Sequence, residues 1–220
     1  MNPRRTAAAC WSALAVVVAA SLATEFVRTL VIAADDGAPV LTRVVRFLSY
    51  FTIQSNALVL ALAATLARDP DRDGDRWRVL RLDALLGITI TGLVYAVVLA
   101  PTDHPHGSGW WSNAGLHYVA PIATLVLWLG CGPRPRITVA TVAWALAWPV
   151  LWIGYTLAHG AASGWYPYSF LDVSDLGYGA ALRNTGLVVL LAVVVLLAFR
   201  AVDRRLPATA RSSVTASPSP

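Results

Sequence analysis

The sequence contains little charge and no lysine. Only 13% of its 220 residues are charged, against about 25% in soluble proteins, and all 17 basic residues are arginines. Hydrophobic residues make up 57% of the chain. These proportions exclude an ordinary soluble domain and favour a chain embedded in lipid. The net charge of +5 therefore does not indicate a nucleic-acid partner, and none is expected.

Long apolar runs recur along the chain. About 20 mostly apolar residues cross a bilayer core of about 30 Å, and the runs lack the period-two pattern of a barrel. The sequence therefore predicts an all-α polytopic membrane protein, a bundle of six transmembrane helices within residues 1–205, followed by a disordered tail over 206–220. The predicted spans are 7–33, 47–67, 82–100, 114–130, 137–159 and 181–199.

The arginines predict the orientation of the spans. Most of them lie before span one, between spans two and three, between four and five, and after six. Cytoplasmic loops are enriched in basic residues, so both termini are predicted to be cytoplasmic in a multi-pass protein of the cell membrane. The first span is interpreted as a retained signal anchor. Cys10 and Cys131 then lie near cytoplasmic ends, where disulfides are disfavoured.

Two polar residues are predicted to meet near the outer surface. Thr52 lies in an unusually polar start of span two, and His117 follows Asn113 by one helical turn in span four. Each lies within about 8 Å of the predicted outer boundary of its span, at 1.5 Å per residue. A functional pair is one interpretation, because ionisable groups within a membrane are costly. The other is packing, because hydroxyl groups commonly join membrane helices.

Further polar residues are predicted at the same level and favour a cavity open to the outer side. Glu25 and Arg28 can pair along one helix, for either a structural or a functional purpose. The aromatic residues of the last outer loop, including Tyr168, fit an interfacial belt, and those of span five fit either packing or the lining of an acyl-chain site. The predicted polar cavity residues are Glu25, Arg28, Asp103, His104, His159, Tyr178 and Asn184.

The segment W-S-N-A-G-L-H-Y-V-A-P at 111–121 resembles a stretch of the androgen-induced family of six-span membrane hydrolases, which cleave fatty acid esters of hydroxy fatty acids with a Thr and a His. Phe51 and Thr52 are similar to the nucleophile neighbourhood of that family. The outer loop 165–172 resembles its Y-P-x-F-L-acid element, shifted by one or two residues. The chain departs from the animal members in its 54–56 run, in Ala114 and in its all-arginine composition, which suggests a bacterial relative.

This resemblance implies a hydrolase of lipid-like acyl esters, with Thr52 as nucleophile and His117 as general base. A hydroxyl becomes an effective nucleophile when an adjacent base removes its proton, and histidine suits that role near neutral pH. The implied partner is a membrane lipid or acyl ester, without a metal or other cofactor. The substrate or oxyanion candidates are Gln54, Ser55, Asn56, Asn113, Tyr166 and Asp172.

Three alternatives remain open at this point. A metal-dependent hydrolase would gather Asp103, His104, His106 and His117 around one ion, and a haem protein would use His117 with His159. A non-enzymatic membrane protein, such as a small-solute transporter or a structural partner, is the third. Polar residues confined to one side count against transport, because transporter sites tend to lie near the midplane.

Overall fold

The computed structural model describes residues 3–37, 39–132 and 136–206. It is 85% helical, and no strand occurs in these ranges. Six helices are long and apolar enough to cross a membrane, which confirms the predicted all-α bundle. Arg134 and the predicted tail beyond 206 lie outside the described residues. The helices are α1 Pro3–Asp35, α2 Val40–Ser49, α3 Phe51–Arg68, α4 Asp75–Leu99, α5 Ser108–Cys131, α6 Val139–Ser163 and α7 Val173–Arg205.

The short helix α2 makes the second span begin later than the sequence predicts. Tyr50 adopts an extended conformation with φ −67° and ψ 128°, which separates α2 from α3. Leu41 and Leu48 on α2 are exposed, while Arg43 and Arg46 line an internal cavity. This amphipathic arrangement is typical of a helix at a membrane interface.

Helix α4 lies at the centre of the bundle. It packs against α3, α5, α6 and α7, whereas α1 packs against α3 and α5. The apolar stretch of α4 is 56% buried, and that of α7 is only 17% buried. Helix α7 contacts α4 and α6 only sparsely, so the seam between α6 and α7 is loosely packed.

Two apolar clusters hold the helices together. The first joins α1, α3 and α4 through Trp11, Leu62 and Ile88. The second joins α4 to α5, α6 and α7. Helix association in lipid depends on close packing, and small residues permit it. At Gly87, a Cβ atom would come within 2.8 Å of the Trp148 ring, so this glycine allows α6 to approach α4.

The end of the bundle where α1 begins is here called the opposite end. Charged residues there connect neighbouring loops and helix ends. Arg78 contacts Asp73 at 2.7 Å, and Arg136 contacts it at 3.2 Å. The hydrogen bond from Arg78 holds the pKa of Asp73 well below its usual range. Asp203 of α7 accepts hydrogen bonds from the backbone N–H groups of Arg136 and Ile137. These contacts connect the loops that follow α3 and α5 to the end of α7.

Candidate functional site

A polar cavity of about 650 Å³ occupies the other end of the bundle, here called the site end. Its walls come from α1, α2, the first turns of α3, the end of α4, the start of α5 and the loop between α6 and α7. All of these segments lie at the site end of the bundle. The charged side chains that line it are Glu25, Arg28, Arg43, Arg46 and Asp103.

Thr52 and His117 meet in the wall of this cavity. Thr52 Oγ1 lies 3.3 Å from His117 Nε2, so the predicted contact is confirmed, while the catalytic roles stay predictions. The depths differ from the prediction. Thr52 is the second residue of α3, whereas His117 lies nine residues into α5, about 13 Å along the axis. They meet because α2 and Tyr50 occupy the outer part of the segment in which the second span was predicted to start.

The His117 ring is held in a defined orientation. Nδ1 lies 3.3 Å from the carbonyl oxygen of Asn113, and the ring stacks on Tyr95 with centroids 4.0 Å apart. When Nδ1 carries the proton and donates a hydrogen bond to that carbonyl, Nε2 is free to accept the Thr52 hydroxyl proton. His117 lies in a π-helical turn, Gly115–Val119, a local irregularity that is frequent at functional sites.

Tyr95 is fixed from two directions. Its hydroxyl donates to Asp103 Oδ2 at 3.0 Å, and it accepts from the Asn113 amide at 2.5 Å. The predicted cavity residues Asp103 and Asn113 both line the cavity. Their side chains act on the histidine indirectly, because they hold the aromatic ring on which it stacks, whereas the backbone carbonyl of Asn113 contacts it directly.

Tyr168 contacts Thr52 directly, a role that the sequence did not predict, just as it did not predict the contact of Tyr95 with His117. Its hydroxyl oxygen lies 3.2 Å from Thr52 Oγ1 and accepts a hydrogen bond of 3.2 Å from the Thr52 backbone N–H. Burial raises the pKa of Tyr168 to about 12, so the phenol stays protonated and can donate. The predicted Tyr166 instead packs against Gly160, where a Cβ would come within 2.1 Å of its ring, and it does not line the cavity. The 165–172 loop matches the family element only with a shift of one or two residues, and this shift was the sequence signal that a tyrosine other than Tyr166 could occupy the site.

Asn56 lies next to the Thr52–His117 contact and stabilises it through hydrogen bonds. It is fully buried, and its amide nitrogen donates to the carbonyl oxygens of Thr52 at 2.9 Å and Leu116 at 3.2 Å. These residues belong to α3 and α5, and Leu116 precedes the histidine. The amide therefore fixes the two helices at the level of the Thr52–His117 contact and does not line the cavity.

Ser55 and Gln54 also connect helices. The Ser55 hydroxyl lies 2.8 Å from that of Thr91 on α4, and Gln54 Oε1 accepts from Trp148 Nε1 on α6 at 3.1 Å. Neither residue lines the polar cavity. Their predicted oxyanion role is not supported by these positions, because both side chains serve contacts between helices.

Glu25 and Arg28 form the predicted pair. Arg28 Nε lies 3.5 Å from the Glu25 carboxylate, which also accepts from Ser112 Oγ at 2.7 Å. The guanidinium lies against Gly109, where a Cβ would come within 2.2 Å of it. Arg46 stacks over Trp165 at 5.1 Å. Three arginines and two carboxylates line the cavity, so its fixed charge is positive.

The remaining predicted residues lie outside the polar cavity. Asp172 caps α7 by accepting from the Ser174 N–H at 2.8 Å. Asn184 donates to a backbone carbonyl in the preceding loop, and His159 contacts Ser163. His104 and Tyr178 are exposed.

The metal and haem alternatives find no assembled site. Within the described ranges, no group of three or more His, Cys, Asp and Glu side chains could hold an ion. The proposed metal set of Asp103, His104, His106 and His117 is therefore not brought together. For haem, His117 lines the cavity and His159 does not.

A second, apolar pocket of about 60 Å³ lies between α4, α6 and α7. Thr52 and Tyr168 line both this pocket and the polar cavity. Of the aromatic residues of span five, Trp152 lines the pocket, whereas Trp148 stacks on Phe51 at 4.8 Å. Thr52 thus lies at the boundary between a polar and an apolar compartment.

Comparisons with protein-family models, curated proteins and solved structures give no match for this chain. Its function is therefore inferred from the geometry of the site, together with the resemblance of the segments around Thr52 and His117 described above. The boundary position of Thr52 is the feature on which that inference depends most.

Proposed function

We propose that this chain is an integral membrane hydrolase of lipid-like acyl esters, in which Thr52 is the nucleophile and His117 the general base. The observation that carries the proposal is the 3.3 Å contact between Thr52 Oγ1 and His117 Nε2 in a wall shared by a polar and an apolar compartment. A lipid ester has an apolar acyl chain on one side of its carbonyl and an alkoxy group on the other. With its carbonyl at the nucleophile, such an ester places its acyl chain in the apolar compartment and its alkoxy group in the polar one.

The first half-reaction forms an acyl-enzyme. His117 Nε2 removes the hydroxyl proton as Thr52 Oγ1 attacks the ester carbonyl carbon. The carbonyl electron pair moves to its oxygen and then returns as the bond to the leaving alkoxide breaks. His117 gives its proton to that alkoxide, so an alcohol leaves and the acyl group remains on Thr52.

The second half-reaction restores the enzyme. Water enters from the polar cavity, His117 takes its proton, and the hydroxide adds to the acyl carbon. Collapse of this intermediate breaks the bond to Thr52 Oγ1, and His117 returns the proton to that oxygen. A carboxylic acid is released, and the histidine is again neutral.

The developing oxyanion needs hydrogen-bond donors. Tyr168 supplies a protonated phenol 3.2 Å from Thr52 Oγ1. The Thr52 backbone N–H lies in the first turn of α3, where helix N–H groups have no intrahelical partner and the helix dipole favours negative charge. Without substrate it donates to the Tyr168 hydroxyl oxygen, and the oxyanion takes the place of that acceptor in the transition state. We assign the oxyanion to these two donors in place of the amides of Gln54 and Asn56.

The test of this function is hydrolysis of a long-chain acyl ester by purified protein in nanodiscs. We expect release of the fatty acid to continue at full rate with a strong chelator present, because the proposed steps use only Thr52, His117 and Tyr168. Loss of activity on chelation would favour the metal alternative. Failure to hydrolyse any of a panel of acyl esters would favour a binding or transport protein.

The site end is proposed to face the outside of the cell. The arginine distribution supports this orientation, because loops at the opposite end carry most of the basic residues. In a cysteine-free background, single cysteines at Thr102 and Ser174 should react with an impermeant thiol reagent in intact cells, whereas one at Arg72 should not. All three positions are exposed. Labelling at position 72 alone would show that the protein has the opposite orientation.

A further inference from the structure

We propose that the apolar pocket between α4, α6 and α7 binds the acyl chain of the ester, which enters sideways from the membrane through the seam between α6 and α7. This inference rests on the proposed function in one respect, the placement of the ester carbonyl at Thr52. The pocket side of that seam is lined by Leu146, Val150, Ile153, Val188, Val189 and Ala192.

The pocket has the direction that an acyl chain requires. It starts at Thr52 and Tyr168 and continues along α6 from Ile153 to Leu146, and along α7 from Thr185 to Ala192. Seven residues of helix span about 10 Å. The pocket therefore leads from the nucleophile toward the middle of the membrane, parallel to the lipid chains. A chain lying there places its ester carbonyl beside Thr52 and its alkoxy group toward the arginines.

The pocket is open to lipid through the helical wall. Val150 lines it and is also 56% exposed, and an exposed apolar residue of a membrane-spanning helix faces acyl chains. Helices α6 and α7 contact each other sparsely, and α7 is the least buried of the six spans. The part of a long chain that exceeds the pocket can remain in the bilayer.

The chemistry of the lining selects an acyl chain over a polar ligand. No charged residue lines the pocket. Its polar side-chain groups are hydroxyls, with those of Thr52 and Tyr168 at the junction with the polar cavity, and the indole N–H of Trp152, which already donates to the Ser49 carbonyl oxygen. An alkyl chain needs no hydrogen-bond partner, whereas each polar group of a ligand buried here without a partner would lower its affinity. The arginine-lined cavity and the apolar pocket therefore receive different ends of one substrate.

The first test is substrate chain length. Ala192 is 4% exposed, so Ala192→Phe should fill the deep end of the pocket. We expect the ratio of kcat/KM for a hexadecanoyl ester to that for a butanoyl ester of the same alcohol to fall about tenfold or more. Leu190→Phe is the matched control, since Leu190 is 59% exposed on the same helix and does not line the pocket; its ratio should match that of the wild type.

Val150→Phe at the lipid opening serves as a second variant if Ala192→Phe does not fold, because an exposed position tolerates a larger side chain. It should lower the same ratio. An unchanged ratio in a folded pocket variant, with the wild type active, would overturn the pocket assignment and leave the proposed hydrolase intact.

The second test does not depend on hydrolysis. A hexadecyl ether analogue with a diazirine in the half of the chain nearest the ether oxygen, the part that the pocket is long enough to hold, should crosslink to the 146–153 and 185–192 segments of the wild type and of Leu190→Phe, but not of Ala192→Phe. Crosslinking there by a protein that hydrolyses no ester would support the pocket and reject the proposed function. Crosslinking distributed over all lipid-facing helices would reject the pocket.

Discussion

Replacement of Thr52 by alanine is expected to abolish ester hydrolysis, and replacement of His117 by alanine is expected to have the same effect. Each variant loses the covalent route, because the hydroxyl needs the base and the base acts only through the hydroxyl. The fall in kcat should be about 10³-fold or more, and the double variant should be no less active than either single variant. Initial rates with a saturating long-chain ester measure this effect.

Matched controls separate catalysis from folding. Thr65→Ala removes a half-buried threonine of the same helix, α3, and His159→Ala removes a histidine; neither residue lines the cavities. Both should remain close to wild-type activity. Partial losses that add together in the double variant would instead indicate that Thr52 and His117 bind the substrate without acting as nucleophile and base.

Replacement of Tyr168 by phenylalanine should have the second largest effect. The ring and its packing against Tyr50 and Phe170 are retained, and only the hydroxyl is lost. Removal of one oxyanion donor costs about 10²–10³ in kcat. KM should change little, because the stabilised charge exists only in the transition state. Full saturation curves for wild type and variant measure the two constants separately.

Tyr178→Phe is the control for this substitution, because Tyr178 is 67% exposed and lies outside the cavity lining. It should leave both constants unchanged. A rise in KM with an unaltered kcat in Tyr168→Phe would show that the phenol binds the ester in its ground state, and the oxyanion assignment would then be wrong.

The spans were predictable because each consists of a long apolar run, a signal that the sequence carries locally. The start of the second span was not. The break at Tyr50 occurs without proline or glycine, and α2 presents Arg43 and Arg46 to an internal cavity. Sequence patterns place such arginines in a loop, because nothing in the order of residues indicates that a cavity lies beneath them.

The Thr52–His117 contact was predicted from similar depth and family resemblance, whereas the surroundings of the pair depend on packing. Asn56 and Tyr168 illustrate the difference. Asn56 follows Thr52 by one helical turn and appeared able to serve the same site, yet its amide joins two backbone carbonyls. Tyr168 reaches Thr52 from a loop 116 residues later. Neither orientation follows from local sequence, because each is set by which helices are neighbours.

The nucleophilic role of Thr52 is tested most directly by covalent labelling with a fluorophosphonate, followed by mass spectrometry of the modified peptide. A fluorophosphonate forms a stable adduct with a hydroxyl that a neighbouring base activates. If Thr52 is the nucleophile, the wild type carries one adduct, on Thr52, that is absent from Thr52→Ala and strongly reduced in His117→Ala. An adduct on another residue, or equal labelling of wild type and Thr52→Ala, would contradict it.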